Sequence, residues 1–132
     1  MNNGKGPLAG LKVLELEGLG PAPFCGMMLA DMGADVIKVE RPDGGDPFRS
    51  FRGGAYSPHF CSYNRNKRSV ALDLQSDDGK AALTRLIERA DVLLDNFRPG
   101  VLDRLGFSDD RLLSLNPGLV RCSISGFGTR GP

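Results

Sequence analysis

A strand, a glycine turn, a helix and a second strand fill the first forty residues, and that order limits the fold more than any other feature. Lys12 to Leu16 (KVLEL) is a β-rich run that breaks at Gly18-Leu19-Gly20-Pro21. An apolar segment of helical length runs from Phe24 to Met32, and Gly33 is placed to cap its end. Asp35 to Glu40 (DVIKVE) is a second strand, stopped by Arg41-Pro42. This is a βαβ unit, whose crossover makes the two strands parallel.

The remainder continues the alternation. Ser69 to Asp73 reads as a third strand, and Ser76 caps a helix whose apolar positions are Ala82, Leu83, Leu86, Ile87 and Ala90. Asp77 and Asp78 suit the positive end of that helix. Val92 to Leu94 makes a fourth strand, Pro99 opens a turn and short helix, and Ser108 starts another helix that ends at Asn116-Pro117. Leu119 to Ser123 makes the fifth strand. Strands alternating with helices predict an α/β fold, a Rossmann-like doubly wound parallel sheet with helices on both faces. Pro42 to Asn66 stands out as one long irregular stretch and is expected to lie outside the core.

Composition serves mainly to exclude. The 132 residues, 40% hydrophobic and 25% charged, fit one globular domain. A net charge of +1 gives no field for nucleic acid, so any anion must be bound locally. No apolar run approaches the roughly 18 residues of a membrane span, and MNNGKGPLAG lacks the apolar core of a secretory signal. No membrane association and a cytoplasmic location are therefore expected. Cys25, Cys61 and Cys122 form no CxxC pair and read as reduced thiols, and a single histidine argues against a metal centre.

In a parallel sheet of this kind ligands bind at the carboxyl ends of the strands. The residues to examine are Glu17 to Pro23, Arg41, Leu74-Gln75, Asn96-Phe97-Arg98 and Ser125-Gly126-Phe127-Gly128. Gly18-Leu19-Gly20 half-matches the dinucleotide fingerprint G-x-G-x-x-G, with Glu40 near the place of the ribose-binding acid. The third glycine position is Pro23, which disfavours an NAD-binding oxidoreductase. Arg41, Arg65, Lys67, Arg68, Arg98 and Arg104 are spread over several loops, and a few of them converging on one phosphate-bearing ligand would suit arginine's planar fork. Each taken alone reads more readily as an ordinary surface charge. Phe97 reads either as a cover for an adenine or pantetheine arm or as core. His59 has no acid nearby in sequence to orient it as a base, and Cys25 reads as a packing residue.

Four stretches then carry a resemblance that covers nearly the whole chain outside Gly44 to Phe60: PLAGLKVLELEGLGPAPFCGMMLADMGADVIKVERP, YNRNKRSVALDL, ADVLLDNFRPGVLDRLGF and NPGLVRCSISGFGTRGP. Together they resemble the family III CoA-transferases, formyl-CoA- and carnitine-CoA-transferase-like, and the related α-methylacyl-CoA racemases. The resemblance implies that residues 1–132 are the N-terminal, coenzyme-A-binding, Rossmann-like portion of a larger domain. It also implies an interlocked homodimer at full length, and CoA or acyl-CoA as substrate, with a carboxylic acid acceptor and no permanently bound cofactor.

By residue, the resemblance implies that Arg41 contacts the adenine nucleotide of CoA and that Gly20 and Pro21 line its site. Leu72, Asp73, Leu74 and Gln75 match the adenine and ribose side, although Gln75 stands where the family usually has lysine. Asn96, Phe97, Arg98 and Arg104 fall along the diphosphate and pantetheine. The family's catalytic groups, an attacking aspartate in the transferases or a histidine and aspartate in the racemases, are expected beyond Pro132, so none is named in this chain. The transferase reading is preferred. The racemase and an inactive CoA-binding fragment are the alternatives, and the chain alone is expected to be inactive and to associate. Ser125 to Gly128 would end beside that centre, with backbone N–H groups available to an oxyanion.

Overall fold

The computed structural model describes residues 5–51 and 57–128. Five strands form one parallel sheet: β1 (Lys12–Leu16), β2 (Asp35–Glu40), β3 (Arg68–Ala71), β4 (Val92–Asp95) and β5 (Val120–Ser123). Their order is β3-β2-β1-β4-β5, so the direction of winding reverses between β1 and β4. The register sets Leu14 opposite Ile37 on one side and Leu93 on the other.

The helices divide between two faces. On one face lie α3 (Asp77–Ile87), the single turn α4 (Val101–Arg104) and α5 (Asp109–Leu115). Leu83, Ile87, Leu102 and Leu112 from these helices pack with Leu14, Leu16, Val39 and Leu93 into an apolar core. Ser76 caps α3 by accepting a hydrogen bond from the Gly79 N–H at 3.0 Å. Asn116 donates to the Ile87 and Ala90 carbonyls, satisfying acceptors where that helix ends.

The other face carries α1 (Pro21–Asp31) and α2 (Pro58–Asn64). Ala22 and Ala30 meet Val13, Val36 and Leu94 there. Small residues let α1 come close to the sheet, and the space gained is filled by charge. Glu15 and Lys38 point to this face and are buried with Asp46. Lys38 Nζ lies 2.9 Å from Glu15 and 2.8 Å from Asp46, while Lys67 Nζ lies 2.7 Å from Glu15. Lys67 also donates to the Pro23 carbonyl and to Asn64 Oδ1.

Most element positions agree with the sequence reading, and the departures have local causes. Proline at the first helical position needs no N–H partner, so α1 starts at Pro21 rather than Phe24. β3 ends at Ala71 instead of Asp73, because the Asp73 carboxylate accepts the Gln75 N–H at 2.9 Å and bends the chain out of the ladder. The expectation that Pro42 to Asn66 is irregular and outside the core is corrected. A 3₁₀ turn at Pro47–Arg49 and helix α2 lie in it, and Asp46, Ser57 and Asn64 are buried. Lys38 lies beneath Asp46 and holds this segment against the sheet.

Candidate functional site

The carboxyl edge of the sheet opens into clefts around the reversal between β1 and β4. After β1 the chain must pass the segment that follows β4 at very short range. A Cβ on Gly18 would lie 1.6 Å from Asn96 Oδ1, so only glycine fits there with Asn96 in place. Asn96 Nδ2 in turn donates to the Leu19 carbonyl at 2.7 Å, tying the two loops together. Asn96 Oδ1 is buried and accepts no hydrogen bond among the described residues.

On the β2 side of this tie lies a cleft of about 420 Å³, lined by Glu17, Arg41, Leu72 to Gln75, Phe97, Val101 and Leu105 among others. Arg41 is the cation on its wall, and Leu72, Leu74, Phe97, Val101 and Leu105 make it largely apolar. On the β5 side a second cleft of about 330 Å³ is lined by Pro21, Asn96, Phe97, Arg98 and Ile124 to Gly128. Phe97 belongs to both and forms the partition. Its backbone N–H is fixed by the buried Asp95 carboxylate at 3.1 Å, and Ser123 donates to the same oxygen. Two adjoining clefts that share Phe97 leave room for a long ligand, and Glu17, Glu40 and Asp73 line the first beside Arg41.

The first cleft therefore gathers Arg41, Leu72, Asp73, Leu74, Gln75 and Phe97, and the second gathers Pro21, Asn96 and Arg98. Gly20 precedes α1 with φ 73 and lines neither. Arg104 is exposed on α4 and also lines neither, whereas Val101 and Leu105 of that turn do reach the first cleft. These two apolar residues were missed because i, i+4 spacing in so short a helix reads as ordinary packing.

The other basic residues do not converge on the clefts. Arg65 pairs with Asp31, and Arg68 pairs with Asp35 at the opposite, amino end of the strands. Lys67 is buried beside Glu15; burial pulls its ammonium down to about 8, against the opposing pull of Glu15. Burial also lowers Lys38, but Glu15 and Asp46 outweigh it and hold that ammonium above its ordinary value.

Glu40 is unavailable to a ribose. It is buried, its two oxygens receive Arg49 at 2.8 and 2.7 Å, and Ser69 Oγ and the Asp46 N–H complete its hydrogen bonds. Burial alone would raise its carboxyl, yet these donors bring it down to about 2. The half-match to the dinucleotide fingerprint thus lacks both its third glycine and a free acid. His59 lies within α2, not in a loop, and packs against Phe48 and Phe51 away from both clefts. Burial raises the Cys25 thiol, in keeping with a packing role. Among the described residues no helix is long and apolar enough to cross a membrane.

Comparison with known proteins adds an independent line. The family model described as CoA-transferase family III matches residues 8–132. The succinyl-CoA–D-citramalate CoA-transferase of Chloroflexus aurantiacus is 44% identical over 129 residues, which are 96% of this chain and 32% of that protein. The formyl-CoA:oxalate CoA-transferase of Rhodopseudomonas palustris is 47% identical over 124 residues, 92% of this chain and 29% of that protein. Among solved structures, a CAIB/BAIF family protein from Brucella suis superposes with a TM-score of 0.90 at 42% identity, over 96% of this chain and 35% of that one. The chain spans about a third of the length of the curated relatives it matches.

Proposed function

The chain belongs to CoA-transferase family III, and from that premise we propose that it forms the part of a CoA-transferase that holds coenzyme A by its nucleotide end. One observation carries the proposal: Arg41, Leu72 to Gln75 and Phe97, distant in sequence, line a single cleft at the carboxyl edge of the sheet. Arg41 would take a phosphate, the leucines and Phe97 would hold the adenine, and the arm would pass Phe97 toward Asn96 and Arg98.

The reaction proposed for the complete protein is transfer of CoA from an acyl-CoA thioester to a carboxylic acid, with CoA as substrate and no resident cofactor. Relatives named as succinyl-CoA and formyl-CoA transferases support this class over the racemase. A homodimer is part of the same proposal. The chemistry this chain contributes is binding and orientation, and no nucleophile is assigned to it.

Titration of the chain with CoA, dephospho-CoA and NAD tests the reading. CoA should bind best, and Arg41→Ala should weaken it by about 1.5–3 kcal/mol, the range for losing a hydrogen bond to a charged group. Preference for NAD, or an Arg41→Ala variant with unchanged CoA affinity, would overturn it.

A further inference from the structure

Arg41 is held in an unusual way for a side chain that is 57% exposed. Its backbone N–H donates to Glu17 Oε2 at 2.8 Å, and its Nε lies 3.2 Å from Glu17 Oε1. The single Nε–H donates to the Gly45 carbonyl at 3.2 Å, so the side-chain contact with Glu17 is an ion pair. One carboxylate thus grips both the backbone and the side chain of the same arginine, from a position just beyond β1 that is only 18% exposed. The two terminal nitrogens, Nη1 and Nη2, make no hydrogen bond with any described residue. They are the half of the fork that can meet an anion bidentately.

We propose that Glu17 is a positioning residue for anion recognition: beside the Gly45 carbonyl, which takes the Nε–H, its carboxylate pairs with the Nε edge of the Arg41 guanidinium and leaves both terminal nitrogens for a phosphate of the ligand. This rests on the reading of the cleft as the CoA nucleotide site. The physical reason is entropic. An exposed arginine samples many rotamers, and ordering one such side chain on binding lowers affinity about two- to twelvefold. With Glu17 in place part of that ordering precedes the ligand. Neighbouring Gln75 is uncharged, so nothing else among the cleft's described residues can substitute for a misplaced Arg41. The carboxylate also opposes the phosphate electrostatically, so positioning and plain charge repulsion predict opposite results when it is removed.

The test is a double-mutant cycle on CoA binding to the chain, using Glu17→Ala, Glu17→Gln, Arg41→Ala and the double variant Glu17→Ala/Arg41→Ala. Glu17→Ala should weaken CoA binding about three- to tenfold. Glu17→Gln keeps an oxygen for the Arg41 N–H and should lose less. In the Arg41→Ala background, Glu17→Ala should cause no further loss, because there is nothing left to position, and removing the carboxylate's repulsion of the phosphate can only help. Tighter binding by either Glu17 variant, or losses that simply add in the double variant, would overturn the inference. An Arg41→Ala loss with silent Glu17 variants defeats the positioning role alone. An unsubstituted chain that binds no CoA, or an Arg41→Ala variant of normal affinity, defeats the nucleotide-site reading and the Glu17 role with it.

Discussion

The two faces of the sheet are buried to a similar extent by different physics. Toward α3 and α5, strands β1, β2 and β4 present Leu14, Leu16, Val39 and Leu93, and the helices answer with Leu83, Ile87 and Leu112. Toward α1 and α2, β1 and β2 present Glu15, Lys38 and Glu40 beside the smaller apolar cluster of Val13, Val36 and Leu94, and the charges are answered by Lys67, Asp46 and Arg49. The apolar face gains from removing area from water and tolerates small changes in shape. The charged face gains little net energy from its pairs but is costly to break, because each partner removed leaves an uncompensated buried ion. Such a network binds particular segments together: the residues after β2 and the residues before β3 are anchored to β1 and β2 through it.

The largest effect should come from breaking the charged face at its hub. Glu15→Ala leaves Lys38 and Lys67 buried without their shared carboxylate, and should lower unfolding free energy by about 3–5 kcal/mol in urea titrations. A loss below 1 kcal/mol would mean that water or Asp46 replaces it. On the apolar face, Leu83→Ala should cost about 2–5 kcal/mol through lost transfer energy and a residual cavity.

Acid should weaken the charged face selectively. The Glu40 carboxyl is depressed from 4.5 to about 2 in the folded chain. Its folded value lies below its unfolded one, so its contribution is present above pH 4.5 and is lost as pH falls toward 2. The difference is on the order of 3 kcal/mol, and Glu40→Gln should flatten that part of a stability-against-pH curve. A curve unchanged by Glu40→Gln would place the acid sensitivity elsewhere.

Gly26→Ala probes the same face from the helix side. A Cβ there would lie 1.9 Å from Glu15 Oε2, so α1 or the Glu15–Lys67 pair must shift. About 1–3 kcal/mol should be lost, the range for overpacking, despite alanine's better helix propensity. The smallest effect on stability is expected at the cleft. Arg41→Ala should change unfolding free energy by no more than about 0.5 kcal/mol while impairing CoA binding, which separates site from scaffold.

Much of this was legible in the order of residues, because β1, β2 and their connecting helix are marked by local signals. KVLEL and VIKVE read as strands, Ser76 and Ser108 mark helix starts, and Arg41 stands immediately after a strand, where a parallel sheet places its ligands. The family resemblance rests on the same local runs. What local signals do not carry is which side chains face each other across the fold. Lys67 reads as one more surface cation, Asp46 falls in the stretch expected to lie outside the core, and Glu40 only stands near the place of a ribose-binding acid. Burial by α1 and α2 makes them partners in one ionic network. Gly26 looks like an indifferent helix residue until Glu15 is found against it. The pairing of Glu17 with Arg41 likewise joins the ends of two neighbouring strands. Backbone propensities act over a few residues and can be read from the chain in sequence. Ion pairing and desolvation depend on distances that exist only once β1 and β2 lie side by side.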